Sequence, residues 1–252
     1  MEIYKRYFRV CPSTESSVTG ITDGVTNQVE IRLKKTQCSF ANTADKNYLM
    51  EYCKHLWEGR FNTGIQDFPI IDVSKLEQIV YYKTKKRVKE TDFISNMTDN
   101  SFGMLDFIVS KETKNVIEQF KLPLHSEIQV SIPEFSTVKN YYLLAFPCIP
   151  LEQIDYTKSV IIDSISRERL TFNSFEEYKN RENKFTEMRH IFLTEKYDFD
   201  ILKVPTVGLF FSERLINYLK EAKITGLDFL SKRSNGNNIC SQRQQKQSYK
   251  KI

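Results

Sequence analysis

Residues 200–229 read DILKVPTVGLFFSERLINYLKEAKITGLDF, and this stretch spells out a strand, a cap, a helix and a stop in that order. Val207, Leu209, Phe210 and Phe211 form a short apolar run of strand type. Ser212 stands where a hydroxyl accepts a hydrogen bond from a free N–H of a first helical turn. Leu215, Ile216, Leu219 and Ala222 then fall on one stripe of a helix about three turns long. Glu213 sits at the positive end of that helix dipole, and Lys220 and Lys223 at the negative end. Gly226 is the expected left-handed stop.

The same order of signals occurs earlier in the chain. With Ser110 set against Ser212, Phe107, Ile108 and Val109 match Leu209, Phe210 and Phe211. Ile117, Phe120 and Leu122 then match Leu219, Ala222 and Ile224. Asp92, Phe93 and Ile94 precede the first copy as Asp200, Ile201 and Leu202 precede the second. The pattern predicts a repeated strand-helix unit.

Around these copies the chain alternates short apolar runs with few helical patterns. A helix is expected from Ala44 to about Trp57, with Leu49, Cys53, Leu56 and Trp57 on one side. A charged helix is expected from Ser174 to about Phe185. Strands are expected at Ile3 to Val10, Val29 to Lys34, Ile79 to Tyr82, Glu127 to Ile132, Tyr141 to Phe146 and Val160 to Ile165, and near His190 to Leu193 and Ile201 to Val204. Strands outnumber helices and few links resemble βαβ crossovers. The expected class is therefore α+β: a mixed, mainly antiparallel sheet with a few packed helices and two strand-helix repeats. The expected division is an N-terminal α+β region over residues 1–90, a C-terminal α+β region over 91–230, and a disordered basic tail over 231–252.

The formal charge is +5, but the tail holds Lys232, Arg233, Arg243, Lys246, Lys250 and Lys251 and no acid, so residues 1–230 carry −1. A polar tail of that kind has little to bury. It can hold nucleic acid or an acidic partner electrostatically. At 40% hydrophobic and 13% aromatic content the chain fits a folded protein. The opening MEIYKRYFRV lacks the apolar core of a signal peptide, and no run approaches the length that spans a bilayer, so a cytoplasmic location without membrane contact is expected.

Chemistry-bearing motifs are scarce. The cysteines Cys11, Cys38, Cys53, Cys148 and Cys240 have no C-x-x-C pairing, and His55, His125 and His190 are dispersed, so no metal site or cofactor is expected. No G-x-S-x-G, Walker, G-x-G-x-x-G or H-E-x-x-H motif occurs, and Ser110 and Ser212 lack the glycines of a nucleophile elbow, so both are read as caps. The carboxylates Glu176, Glu177, Glu182 and Glu187 are interleaved with Lys179, Arg181, Lys184 and Arg189, the pattern of a solvated face. Lys83, Lys85, Lys86, Arg87 and Lys89 follow Tyr81 and Tyr82 and form the dense basic run of the body. They fit either a nucleic-acid surface or a protected edge. No catalytic, cofactor-binding or metal-ligating residue is assigned, and the partner-binding residues are open.

Residues 200–229, with Ser212-Glu213-Arg214-Leu215 before the helix and Ile224-Thr225-Gly226-Leu227-Asp228-Phe229 after it, resemble the closing signature of Imm11-type immunity proteins of bacterial polymorphic toxin systems. The segment around Ser110 resembles it more loosely. The resemblance implies a non-enzymatic protein that binds and neutralises a cognate toxin, encoded next door, with no catalytic residues or cofactor. It transfers no site residue. Nuclease inhibitors are often strongly acidic, whereas this body is near neutral. The alternative is a nucleic-acid-associated accessory protein using the basic run and the tail.

Overall fold

The computed structural model describes residues 7–23, 27–34, 37–61, 63–97, 102, 104–135, 140–182, 185–229 and 238–240. The first part carries strands β1 (Tyr7–Pro12), β2 (Val29–Glu30), β3 (Leu33–Lys34) and β4 (Gln37–Cys38), with helices α1 (Ser16–Thr19) and α2 (Thr43–Gly59). Next come β5 (Ile79–Val80), β6 (Tyr82–Lys83), β7 (Phe93–Ile94), β8 (Asn96–Met97), β9 (Phe107–Ser110) and α3 (Lys111–Ile117). The middle holds β10 (Ser126–Ser131), β11 (Tyr141–Ala145), β12 (Val160–Asp163), β13 (Arg169–Leu170) and α4 (Phe175–Lys179). The last part holds β14 (Thr186–Phe192), β15 (Ile201–Val204), β16 (Gly208–Ser212), α5 (Glu213–Glu221), β17 (Leu227–Phe229) and β18 (Asn238–Cys240).

The class is α+β. One sheet runs β13-β12-β14-β18-β1-β16-β15, with β17 also paired to β1, and a second runs β5-β10-β11-β9-β7. Most pairings are antiparallel; β5 with β10, β2 with β8 and β14 with β18 are parallel. Strand β1, from the first ninety residues, lies between β16 and β18 of the last sixty, so the larger sheet is closed by the two ends of the chain. Of the tail expected to be disordered, Asn238–Cys240 forms a strand, because β1 and β14 each offer it a free row of backbone donors and acceptors. The rest of the tail lies outside the described residues, as does the Ile3-to-Arg6 part of the first expected strand.

The two expected copies are built alike. In the first, β7 pairs antiparallel with β9, Phe93 opposite Val109; in the second, β15 pairs with β16, Ile201 opposite Phe211. Ser110 N–H donates to Asp92 O and Ser212 N–H to Asp200 O, both at 2.8 Å. Each serine caps its helix, Ser110 Oγ accepting from Thr113 N–H at 3.2 Å and Ser212 Oγ from Leu215 N–H at 3.3 Å. The α5 stripe is buried at Leu215, Ile216 and Leu219, with 0%, 4% and 1% exposure, each side chain worth about 1.5–3 kcal/mol of burial, whereas Ala222, the fourth residue of the expected stripe, is the C-cap and is exposed.

The copies also hold each other. Asp92 of the first accepts from Thr225 N–H at 3.0 Å and Thr225 Oγ1 at 2.7 Å, just beyond α5. Asp200 of the second accepts from Lys121 N–H at 3.1 Å, just beyond α3. Lys121 and Thr225 each lie three residues past a helix C-cap, Glu118 and Ala222. The residue match made at the serines therefore slips by two at the exits, because α5 is nine residues long and α3 seven. A shared core fills the join, where the ring centroids of Phe93, Phe107 and Phe211 lie 5.5–6.2 Å apart.

The helix stop is not Gly226. Lys223 takes the left-handed conformation at φ 56, while Ile224 N–H donates to Leu219 O and Lys223 N–H to Lys220 O, the Schellman pattern. Gly226, at φ 83, serves the exit loop instead: a Cβ there would lie 2.2 Å from the Phe93 carbonyl oxygen.

Candidate functional site

Helix α2 sets one wall of the site. Asn42 caps it by accepting from Asp45 N–H at 2.8 Å, and Leu49, Tyr52, Cys53 and Leu56 are buried beneath it. Tyr52 pins it down, its hydroxyl donating to Pro69 O at 3.0 Å and lying 2.7 Å from Ser126 Oγ. Trp57, expected on the buried side, is 55% exposed. It lies one position beyond the buried stripe, and its ring is covered by Arg60 instead, with the guanidinium carbon 3.4 Å from the ring centroid and 4.0 Å from that of Phe61. An Arg60 NH donates to Trp57 O and so serves a free carbonyl of the last helical turn.

Beyond that turn is a small cleft, open to solvent. Its walls are His55, Leu56 and Gly59 from α2, Arg60, Thr63 and Gly64 from the turn, and Phe68 and Pro69. Its floor is Met104, Phe146, Pro147 and Cys148. The described lining residues include no acid. Behind the floor Lys203 of β15 meets Asp106, Nζ to Oδ1 at 2.8 Å, with both side chains at most 10% exposed. Lys203 Nζ also donates to Met104 O at 3.1 Å, and Asp106 Oδ2 accepts from Phe146 N–H at 2.9 Å, so the ion pair fixes two floor residues.

The electrostatics of this region argue against nucleophilic chemistry at its thiols. Burial pushes Cys53 up to about 12 and Cys148 up to about 11, each only partly offset by the Lys203 ammonium. Both thiols are protonated near neutrality and are poor nucleophiles. Burial disfavours the Lys203 ammonium, but Asp106 outweighs it and holds the amine above its ordinary value. Lys203 therefore stays charged.

The expected caps are caps. Ser110 Oγ donates to Asp92 at 3.0 Å and Ser212 Oγ to Asp200 at 2.6 Å, so each hydroxyl proton is held by a structural carboxylate. The charged stretch is helical only over Phe175–Lys179, shorter than the helix expected from Ser174 to about Phe185, with Glu176 and Glu177 in its first turn. Glu177 accepts from Asn173 N–H at 2.7 Å, Glu187 pairs with Arg167 and Arg189, and Lys184 lies outside the described residues. In the basic run, Lys85 pairs with Asp23, Lys89 Nζ donates to Ser17 O at 2.9 Å and Lys83 Nζ lies 4.8 Å from the Phe135 ring centroid. Among the described residues, no group of three or more His, Cys, Asp or Glu is placed to hold a metal ion, and no helix is long and apolar enough to cross a membrane.

Arg60, Cys148, Asp106 and Lys203 were missed as site residues. Lys203 alone left a trace, as a cation inside the apolar run Ile201-Leu202-Lys203-Val204. The chain matches no protein-family model, and no match is found among curated proteins.

Proposed function

We propose that this chain binds and neutralises a cognate bacterial toxin in the cytoplasm, as an immunity protein of a polymorphic toxin system. The reading rests on the signature resemblance at residues 200–229. The supporting observation is the use to which those residues are put. Ser212 and Arg214 hold Asp200, Thr225 holds Asp92, and Gly226 admits the Phe93 carbonyl. Thr225 and Gly226 of the signature thus clasp the second strand-helix unit to the first, while Ser212 and Arg214 fix the Asp200 carboxylate that takes the Lys121 N–H. A clasped scaffold offers a rigid surface for one partner, as an inhibitor of a single toxin requires.

Co-expression with the product of the adjacent gene tests the proposal. That product is expected to be toxic alone, harmless beside this chain, and to co-elute with it. A product that is harmless alone, or that stays lethal and unbound, overturns the reading. Salt-dependent retention of RNA or DNA, lost on deleting residues 231–252, favours the nucleic-acid alternative instead.

A further inference from the structure

The mouth of the cleft carries an unmet donor. Arg60 Nε is buried and has no hydrogen-bond partner, while the guanidinium is stacked between Trp57 and Phe61. Desolvation lowers the Arg60 pKa below its ordinary value, the direction that a bound anion reverses. On the loop beyond Pro69, Ile70 and Val73 are 53% and 51% exposed on either side of buried Ile71 and exposed Asp72. An arginine already held by aromatic stacking loses little freedom when it pairs with a carboxylate, and Trp and Arg are the residues that most often dominate protein interfaces.

We infer that the cleft beside α2 is the docking site for an acidic anchor of the toxin. The anchor is a loop that places one carboxylate on Arg60, at the mouth of a small cleft lined by Leu56, Phe68 and Met104. Charge complementarity selects this occupant, since Arg60 and His55 are the ionisable groups of the walls and no described lining residue is acidic. The floor is pre-formed, because the Lys203–Asp106 pair fixes Met104 and Phe146 before anything binds. This inference rests on reading the chain as a toxin-binding protein.

Calorimetric titration of the full chain with the purified product of the adjacent gene tests it, using wild type and the variants W57A, R60E, R60K and I165A. Circular dichroism confirms that each is folded. R60E is expected to weaken binding by about 100-fold or more and W57A by about 10- to 100-fold, as central interface residues do. R60K is expected to fall between R60E and wild type, because an ammonium keeps the charge and loses the fork. I165A, which alters a 75%-exposed residue in the loop between β12 and β13, is expected to bind as wild type does. Trp57 is the chain's single tryptophan, so its emission should change when the product binds. Wild-type affinity in both R60E and W57A overturns the docking site and leaves the function standing. If only one of the two folds, its affinity decides. No binding by wild type overturns the function, and the docking site with it.

Discussion

The strand-helix unit ending in α3 and the one ending in α5 share a cap, a carboxylate and a register, but they stop their helices differently. After α5, Lys223 turns left-handed and closes a Schellman motif. After α3 there is no left-handed residue: Gln119 N–H donates to Val116 O and Phe120 N–H to Ile117 O, as the last turn tightens. The carboxylates differ too. Asp200 also takes Arg214, with Nε at 2.7 Å, whereas Asp92 is bound by the hydroxyls and N–H of Ser110 and Thr225. Two similar local scripts thus reach similar shapes by different terminal chemistry, and what keeps them equivalent is that each carboxylate secures the other's exit.

The largest expected effect comes from the ion pair that joins the copies, since Lys203 belongs to the second and Asp106 directly precedes β9 of the first. K203M leaves a buried carboxylate unpaired and is expected to cost about 3–5 kcal/mol in urea denaturation, with much of the loss recovered in K203M/D106L. Next is the exchange of exits. D200A strands the Ser212 hydroxyl and the Lys121 N–H and is expected to cost about 2–3 kcal/mol, with D92A at or somewhat below that. Equal losses at both sites would show that Arg214, whose side chain is 58% exposed, adds nothing measurable. Smaller and opposite in sign, K223G relieves a left-handed lysine and is expected to stabilise by up to about 1 kcal/mol, read as a rise in the urea midpoint.

The smallest effect is a slope with pH, and it belongs to the first copy. His125 lies 3.0 Å from both Glu127 Oε1 and Pro123 O, and Lys114 of α3 pairs with the same glutamate. Burial disfavours the charged ring, but those two hydrogen bonds and the Glu127 charge outweigh it and raise the pKa above 6.5. The native state therefore binds the proton more tightly than the unfolded chain does. The stabilisation is complete below 6.5 and is lost as pH rises through the raised native value. H125N is expected to flatten that decline in the urea midpoint, and an unchanged profile would place its cause elsewhere.

Much of the second copy was legible, because capping, stripe and strand signals act within a few residues of one another. The serines were read as caps and are caps, and Ile201–Val204 is the strand expected. The left-handed stop was assigned to the glycine, yet the Schellman bonds fix it at Lys223, because the helix length is set by packing of Leu219 and Ile224 and not by the nearest permissive residue. Trp57 was placed on the buried face by spacing alone. Nothing in the pattern says that the chain turns at Arg60 and that the guanidinium covers the exposed ring. The cleft is not legible in the sequence, since its walls come from residues 55–69 and its floor from Met104 and residues 146–148, distant along the chain.

By itself the sequence determined the α+β class, the two strand-helix units and the caps at Ser110 and Ser212, since each depends on local backbone hydrogen bonding and on the periodicity of apolar side chains. Only the tertiary structure decided that the units clasp each other through Asp92 and Asp200, that Lys203 is neutralised by Asp106, and that Arg60 faces an apolar cleft. Those are encounters between groups distant along the chain, and which carboxylate meets which cation is settled when the core closes and water leaves.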